Sequence, residues 1–586
     1  MSHHQHQAKF KAYRPATWPF FKHFTAISFL SLLLLSVSVL ELGFDNSITS
    51  LIQVIERFDV DFHMYLPEET HGNGTHHGSS HGSTNSSIGT NGTHEATKHP
   101  HNKMDPHKLS ILGSIGTPFR ACMLFVALAI AERWGRWIVF VIMQLGTLAG
   151  VTVLFTAHSF VQIVCGRVIL TTFSGWHDWL VPMYLAEIVP GPVRGSVIAF
   201  YMIFNYSGSV TAAIATFFCS KVYDDARQYR IPFGLMYVMP VLCLAFCWIL
   251  PESPRWLVRK GRHDEAVRAL RRLNGTHNGY SPEEEAKLLR ASIDEDEATR
   301  GAWRDMFRGS NKRRTLIVFM CILLIQFTGQ TFVTKYGTIF VKGMGAMDPL
   351  QFGLMEKSLS IIAPLTLLFV IDRFGRRSIY FVFALLYAVC LFIIGGIGTM
   401  DIRRVGNAII GLYIISAIVH IIAYHGVCTV VSNETPHLRL RERTLTVTHV
   451  LSNALEFGVA FSLPYLLYSP GANLESKVGF IYGTITLLGI LWGYFYLPDT
   501  SKRSLEELEE LWQAGVPAYK FGTYRITGGV GFRVTQLERH AGAGELGSSS
   551  EDDLPGPTLS GDSKAGGGAK EILVVHQEVV ATPEKA

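Results

Sequence analysis

Three ionisable side chains lie in or directly beside stretches of sequence that are otherwise apolar. Asp45 directly follows the run 24–44, and Arg167 and Asp178 both lie in the run 160–183. A charge inside an apolar membrane segment is costly and is therefore a functional candidate by default. A carboxylate that gains and loses a guanidinium partner changes its affinity for a proton. Asp45 and Arg167 are the leading pair for such chemistry, and Asp178, about three helical turns after Arg167, is a secondary candidate.

Membrane-spanning helices must hold these residues in place. A bilayer core about 30 Å thick needs about 20 apolar residues to cross it. Backbone groups in lipid must pair within their own segment, so such runs form helices rather than strands. We predict an all-α membrane protein with twelve transmembrane helices in two six-helix halves, near residues 24–44, 109–131, 137–157, 160–183, 195–219, 232–250, 315–341, 351–371, 378–399, 405–431, 445–468 and 477–497.

The composition excludes several classes of protein. Of the 586 residues, 48% are hydrophobic and 17% are charged, against roughly 25% charged in soluble proteins. The 52 basic and 47 acidic residues nearly balance, which gives no support to a nucleic-acid partner. All eight cysteines lie in apolar stretches, so we predict no disulfide framework and no metal site. The sequence has no phosphate-binding loop and no nucleophile elbow, and we predict neither an enzyme nor a cofactor.

Polar segments fill the rest of the chain. Lys and Arg are concentrated in every second loop between the apolar runs. Because such loops face the cytoplasm, both termini are predicted to be cytoplasmic. An outer loop, 57–108, carries glycosylation sequons at Asn73, Asn85 and Asn91. The predicted regions are a cytoplasmic N-terminus (1–23), an N-terminal half (24–250), cytoplasmic linker helices (251–314), a C-terminal half (315–497), a cytoplasmic amphipathic segment (498–520) and a disordered tail (521–586).

Charged residues recur at matched positions of the two halves. The segment 132–136 recurs as 372–376, and a Glu and an Arg seven residues apart occur once in each half. Two homologous halves around a cavity are the architecture of a rocking transporter. We expect an inner gate whose charges pair across the halves when the cavity is shut to the cytoplasm and separate when it opens. Its residues are Glu132, Arg133, Arg136, Glu187, Arg194, Glu252, Arg255, Asp372, Arg373, Arg376, Glu434 and Arg441.

Several motifs in order make the chain resemble the sugar porter family of the major facilitator superfamily. They are Gly43-Phe44-Asp45, Gly166-Arg167-Val168, Pro182-Met183-Tyr184-Leu185-Ala186-Glu187, Arg194-Gly195, Pro251-Glu252-Ser253-Pro254-Arg255-Trp256-Leu257-Val258 and Glu434-Thr435-Pro436-His437-Leu438-Arg439-Leu440-Arg441. The last is most similar to fungal permeases of the maltose, lactose and hexose type. The resemblance implies a major facilitator fold with a short cytoplasmic helical bundle, a plasma-membrane location, and proton uptake by Asp45 under the influence of Arg167.

The same resemblance implies where the solute binds. In the family's helix-7 pattern, Gln326 is kept and Thr331 replaces an Asn, while Met202 replaces a Gln of helix 5. The implied substrate-binding positions are Gln326, Gln330, Thr331, Ser360, Asn453 and Met202. A hexose is held by many amide–hydroxyl bonds that contribute about 1 kcal/mol each. The replacements therefore argue against a simple hexose and leave a different polyol-like solute open.

These observations predict a secondary active transporter that imports a sugar or sugar-like solute together with protons, by alternating access. A facilitative carrier and a non-transporting sugar sensor are the alternatives. The expected partners are the small-molecule substrate, protons and the lipid bilayer, and the expected state is a monomer. A sugar-uptake assay with and without a pH gradient separates the three.

Overall fold

The computed structural model describes residues 25–64, 105–188, 194–274, 281–298, 303–400, 402–437, 440–468, 471–501, 505–522 and 524. Within these ranges the chain is helical and contains no β-strand. The predicted N-terminus 1–23, the three sequons and nearly all of the predicted tail lie outside the described residues.

The N-terminal half is a bundle of long apolar helices. Its elements are α1 (Ala26–Ile52), α2 (Glu56–Asp61), α3 (Pro106–Ser114), α4 (Gly116–Trp134), α5 (Arg136–Phe155), α6 (Phe160–Ser174), α7 (His177–Ile188), α8 (Arg194–Val222), α9 (Arg227–Leu235) and α10 (Val238–Phe246), followed by the 3₁₀ turn Cys247–Ile249.

Three linker helices connect this half to the second. They are α11 (Pro254–Arg259), α12 (His263–Asn274) and α13 (Pro282–Ala298), followed by the 3₁₀ turn Trp303–Phe307. Their apolar faces bury Trp256, Leu257 and Ile293 in a small core of their own. The Trp256 indole N–H donates to the carbonyl of Glu132 at 3.1 Å, which docks the linker onto the end of α4. The predicted short helical bundle is therefore present.

The C-terminal half repeats the bundle. Its elements are α14 (Gly309–Phe327), α15 (Gln330–Lys335), α16 (Gly337–Met344), α17 (Pro349–Ser360), α18 (Ile362–Phe374), α19 (Arg376–Ile397), α20 (Ile402–His420), the π-helix Ile421–Cys428, α21 (Thr429–Glu434), α22 (Arg441–Leu467), the 3₁₀ turn Glu475–Lys477 and α23 (Val478–Tyr496). Beyond it lie α24 (Leu505–Gln513) and the 3₁₀ turn Ala518–Lys520.

Eleven helical segments of the described chain are long and apolar enough to cross a membrane. The predicted fourth span, 160–183, is instead two helices, α6 of 15 residues and α7 of 12, separated at Gly175 and Trp176. This segment is not among the eleven, so the structure supports eleven of the predicted twelve spans. Large apolar side chains such as Val161, Trp248 and Phe369 are about two-thirds exposed on the outside of the bundle, where lipid covers them.

The first span is longer than the apolar run that predicted it. Helix α1 continues to Ile52, so Asp45 lies inside the helix and not after its end. Helices α1 and α8 cross in close contact, because a Cβ on Gly43 would lie 1.8 Å from the carbonyl oxygen of Asn205. Glycine therefore permits the crossing that holds α1 against the rest of its half. We call the end of the bundle that carries α11–α13 the linker end, and the opposite one the far end.

Candidate functional site

Asp45 and Arg167 form a buried ion pair, as the sequence predicted. The Arg167 guanidinium donates through Nη1 to Asp45 Oδ1, and the hydroxyl of Ser174 donates to Oδ2 at 2.6 Å. The Asp45 side chain is 2% exposed and that of Arg167 is 12% exposed. The pair joins α1 to α6, with Ser174 at the last position of α6. The carboxylate therefore has one charged and one neutral donor in a nearly dry environment.

Asp178 lies apart from this pair. The break at Gly175 places it on α7, and its Oδ1 accepts a hydrogen bond of 2.6 Å from the hydroxyl of Tyr201 on α8. Arg120 and His425 are close enough to interact with it electrostatically. Asp178 therefore has its own hydrogen-bond partner, although Arg120 interacts electrostatically with both Asp178 and Asp45.

A second buried acid lies about one helical turn from Asp45 on α1. Glu41 is 2% exposed, and its Oε2 lies 3.8 Å from Nε2 of His177. His177 Nδ1 lies 2.7 Å from the carbonyl of Ser174, which bonds Asp45 through its side chain. Both acids of α1 are thus connected to the α6–α7 junction.

The predicted substrate positions fall into separate groups. Gln326 is buried, and its Nε2 donates to Ser452 Oγ at 3.1 Å, which places it beside Asn453 on α22. Gln330 and Thr331 begin α15, after Gly329 breaks the helix with a φ of +100°. These four positions line neighbouring parts of the seventh and eleventh spans.

The two remaining positions make different contacts. Ser360 is buried and donates to the carbonyl of Glu356 on its own helix at 2.7 Å. Met202 packs against the apolar core of the N-terminal half. The described contacts do not bring Ser360 or Met202 to the Gln326 group.

The charges at the linker end pair within each half. Arg136 makes two hydrogen bonds to Glu187, at 3.1 Å and 3.0 Å, and its backbone N–H donates to Glu252 at 2.8 Å. In the second half, Arg376 Nη2 donates to Glu434 Oε1 at 3.1 Å. The equivalent Arg–Glu pair in both halves is the three-dimensional counterpart of the sequence repeat.

Burial perturbs one acid of this cluster. It raises the pKa of Glu252, although backbone N–H groups of Ser253, Arg136 and Trp137 oppose the shift. Arg133 lies over the ring of Trp134, 5.6 Å from its centroid, and Glu132 accepts the linker bond. The side chains of Arg194 and Asp372 lie outside the described residues, and Arg255, Arg373 and Arg441 stand on helices at the same end.

Several contacts join the two halves at or toward the far end. Lys342 Nζ donates to Asp59 Oδ2 at 2.6 Å, and Lys221 Nζ to Asp348 Oδ2 at 2.8 Å. The hydroxyl of Ser110 donates to the carbonyl of Phe461 at 2.8 Å. Each contact links a residue before the linker to one after it, so the halves meet closely at this end.

These features place the chain in a known family. Residues 37–512 match the family described as "Sugar (and other) transporter". The chain belongs to this family. Its relatives are transporters and not enzymes, as the sequence predicted.

Fungal relatives are identical to this chain at about a quarter of the aligned positions. The "Probable glucose transporter rco-3" of Neurospora crassa is 28% identical over 374 residues, 61% of this chain and 62% of the relative. The "Hexose transporter HXT13" of Saccharomyces cerevisiae is 23% identical over 67% of this chain and 72% of the relative. The "Alpha-glucosides permease MPH3" of the same species is 28% identical over 64% of both chains. The match to the first relative thus spans less than two thirds of its length.

Solved structures confirm the fold. The "proton:xylose symporter XylE bound to 6-bromo-6-deoxy-D-glucose" superposes with a TM-score of 0.62 at 20% identity, covering 83% of this chain and 99% of that one. The "inward open conformation of the xylose transporter XylE from E. coli" gives 0.61 at 19% identity, with coverage of 83% and 100%. The predicted major facilitator fold is therefore correct.

Three charged residues that join the two halves were not among the residues predicted from the sequence. Arg120 Nη2 donates to Glu456 Oε2 at 2.6 Å, and Lys335 Nζ donates to Glu456 Oε1. Arg120 belongs to the N-terminal half and the other two to the C-terminal half. The signal was available, because each lies in an apolar run as Arg167 does, but none belongs to a motif that the resemblance had marked.

Proposed function

We propose that this chain is a secondary active transporter that moves a sugar or sugar-like solute across the plasma membrane as a monomer, together with protons. The observation that carries the proposal is the Asp45–Arg167–Ser174 cluster, buried between two helices of a duplicated transporter fold. Family membership supports transport, and the buried pair supports coupling.

Alternating access follows from the distribution of contacts between the halves. The far end is closed by pairs such as Lys342 with Asp59, whereas the Arg136 and Arg376 pairs at the linker end stay within their own halves. With the linker end facing the cytoplasm, this is the arrangement expected of a carrier closed to the outside. Opening the far end requires the inter-half pairs to separate, and the linker-end charges then come close enough to pair across the halves.

Proton coupling follows from the chemistry of the Asp45 pair. A carboxylate beside a guanidinium in a dry site holds its proton differently from the same carboxylate after the pair has separated. A helix movement that lengthens the distance between α1 and α6 therefore changes the proton occupancy of Asp45. Because solute binding biases the same movement, the two binding events are thermodynamically linked.

The test compares Asp45→Asn with the parent in sealed cells and reconstituted vesicles, using a panel of labelled sugars and polyols. The parent should accumulate its solute when the outside is acidic and lose accumulation when the gradient collapses. Asp45→Asn should lose accumulation, because it cannot carry the proton, yet should still exchange labelled for unlabelled solute. Asp225→Asn, an exposed acid paired with Arg227, is the control that should behave as the parent.

Other outcomes identify the alternatives. Accumulation by Asp45→Asn at the parental level contradicts the assignment of Asp45. Uptake that ignores the gradient in the parent identifies a facilitative carrier. No uptake of any solute, combined with a transcriptional response that requires residues 521–586, identifies a sensor.

A further inference from the structure

A small cavity, which we call the charged cavity, lies between the two halves, on the far-end side of the predicted sugar positions. Its volume is about 30 Å³, and its walls come from the first, second, fourth, seventh and eleventh spans. Arg120, Arg167, Lys335, Glu456 and Gln53 supply its charged and amide groups. A cavity of this size accommodates a group of a few atoms and not a sugar ring.

Positive charge is in excess around this charged cavity. Three cations and a single carboxylate are among its lining residues. That carboxylate, Glu456, is shared between Arg120 and Lys335, and Arg167 donates to Asp45 behind the wall. Asp178 also interacts with Arg120 but does not line the cavity, so within the lining two cations share one carboxylate. Buried charges that are not fully paired cost free energy, and the lining therefore favours an additional negative charge.

Hydrogen-bond donors are also in excess. The side chain of Gln53 is buried, with the residue 2% exposed, and its Nε2 has no partner. The Nε–H groups of Arg120 and Arg167 are likewise buried without a partner. A sugar hydroxyl both donates and accepts, whereas a carboxylate only accepts. Unsatisfied donors beside cations therefore suit a carboxylate better than a hydroxyl.

The charged cavity adjoins the positions implied for the sugar ring. Asn453 precedes Glu456 by three residues on α22, which is about one helical turn toward the linker end. Gln326 is at the same level, since it bonds Ser452. A ring held at Gln326 and Asn453 could thus extend an acidic substituent toward Arg120 and Lys335.

We propose that the solute of this chain carries a carboxylate, as a sugar acid does, and that Arg120, Arg167 and Lys335 recognise it. The inference rests on the proposed transport function for its biological meaning. Its physical content is a binding preference that is measured without transport. Arg120 and Lys335 then have two partners in turn: Glu456 when the solute is absent and the solute carboxylate when it is bound.

The experiment measures ligand-induced thermal stabilisation of the purified full-length chain in detergent. The probes are the sodium salts of D-galacturonate and D-glucuronate, with D-galactose and D-glucose as neutral counterparts, all at equal ionic strength. A ligand at free concentration L that binds only the folded state stabilises it by RT ln(1 + L/Kd), so the concentration needed for a given rise in the unfolding temperature scales with Kd. One acid should produce the same rise at a concentration at least about tenfold lower than its neutral counterpart, as expected for charge-assisted bonds.

Variants place the preference in the charged cavity. Arg120→Gln should reduce the acid-over-neutral ratio about tenfold, to near unity. Because this change leaves Glu456 with less compensation, the triple variant Arg120→Gln/Lys335→Gln/Glu456→Gln removes all three charges of the shared pair. It leaves only Arg167, which pairs with Asp45, and should show the same loss. Lys221→Gln is the matched control, since Lys221 also joins the halves through Asp348 but is 52% exposed and outside the cavity. It should keep the parental ratio.

Three outcomes overturn the proposal. Neutral sugars that stabilise as well as their acids indicate an ordinary sugar site. Sodium chloride or phosphate that stabilises as strongly as the acids, and competes with them, indicates a site for small inorganic anions. A triple variant that keeps the acid preference places recognition elsewhere. Acid binding without uptake leaves the binding inference intact and contradicts only the transport proposal, whereas uptake of neutral sugars without acid binding does the reverse.

Discussion

Arg136 shows how much a single side chain does at the linker end. Its guanidinium contacts both oxygens of Glu187 and also the carbonyl of Ala131, at 3.2 Å, while its backbone N–H bonds Glu252. The residue is only 9% exposed. A two-pronged guanidinium–carboxylate pair depends on the planar fork of arginine, which a lysine ammonium does not reproduce.

We therefore expect Arg136→Lys to destabilise the protein although it keeps the charge. The loss should be about 1.5–3 kcal/mol, the range for charge-assisted hydrogen bonds at a buried site. The measurement is the unfolding temperature of the purified protein. Arg133→Lys is the control, because Arg133 stacks on Trp134 at the surface, and it should change little. Equal effects of the two substitutions on the unfolding temperature would show that the two-pronged guanidinium bond of Arg136 does not contribute to stability beyond its charge.

At the residue scale, the sequence predicted one ion pair but not a cluster of three charged residues. The Asp45–Arg167 pair could be anticipated, because both residues are charges in or directly beside apolar runs and both belong to family motifs. Arg120, Lys335 and Glu456 met the first criterion alone. Their runs lie far apart along the chain, and nothing in a linear sequence says that these three charges meet.

At the scale of elements, the turn that follows α4 is built in the same way as the turn that follows α18. Gly135 has a φ of +104° and Gly375 a φ of +82°, values that residues with a Cβ rarely adopt. A Cβ at Gly135 would lie 2.3 Å from Glu252 Oε2, and one at Gly375 would lie 2.8 Å from Asp499 Oδ2. Each glycine therefore gives an acid room to approach the start of the next helix.

Gly135→Ala and Gly375→Ala should each lower stability, by about 1–3 kcal/mol for the backbone conformation alone. Displacement of Glu252 or Asp499 adds to this cost, and the effect should be larger at Gly135, where the clash is closer. Thermal unfolding in detergent checks both. Gly411→Ala, inside α20 with nothing within 4 Å of the new Cβ, should leave stability unchanged or raise it, since alanine favours helix. A similar loss in all three would contradict the turn argument.

Hydropathy predicted where the helices lie better than where they break. The eleven confirmed spans follow the apolar runs, because burial in lipid demands continuous apolar sequence. Hydropathy did not predict the helix breaks at Gly175 and Gly329 or the π-helix Ile421–Cys428. Such irregularities depend on which polar groups a neighbouring helix offers, and that is decided by packing.

The whole molecule adds what neither residues nor helices specify, namely which end is closed. The repeat predicted two equivalent halves, and the Arg136–Glu187 and Arg376–Glu434 pairs show that equivalence. The closed far end could not be predicted, because the same sequence must support both states with a free-energy difference of a few kcal/mol. Contacts across the halves at that end therefore control the equilibrium.

One of those contacts should make the equilibrium depend on pH. Asp59 lies outside the spans with a side chain that is 0% exposed, and it pairs with Lys342. Burial raises the pKa of Asp59 to about 6, and the nearby ammonium of Lys342 opposes this shift only in part. When the far end opens, water reaches the carboxyl and its pKa returns toward the ordinary value of 3.8. The closed form thus binds the proton more tightly than the open form.

By linkage, acidification must favour the closed far end, and this contribution is lost as the pH rises through about 6. From pH 7 to pH 5 the closed-to-open ratio should rise about tenfold through Asp59 alone. Energy transfer between labels on Val60→Cys and Ala472→Cys, one in each half, measures the ratio in a background without the native cysteines. Asp59→Asn should abolish this part of the pH response. A response that is the same in Asp59→Asn and in the parent, or one that opens the far end in acid, would show that Asp59 does not carry the proton that favours closure.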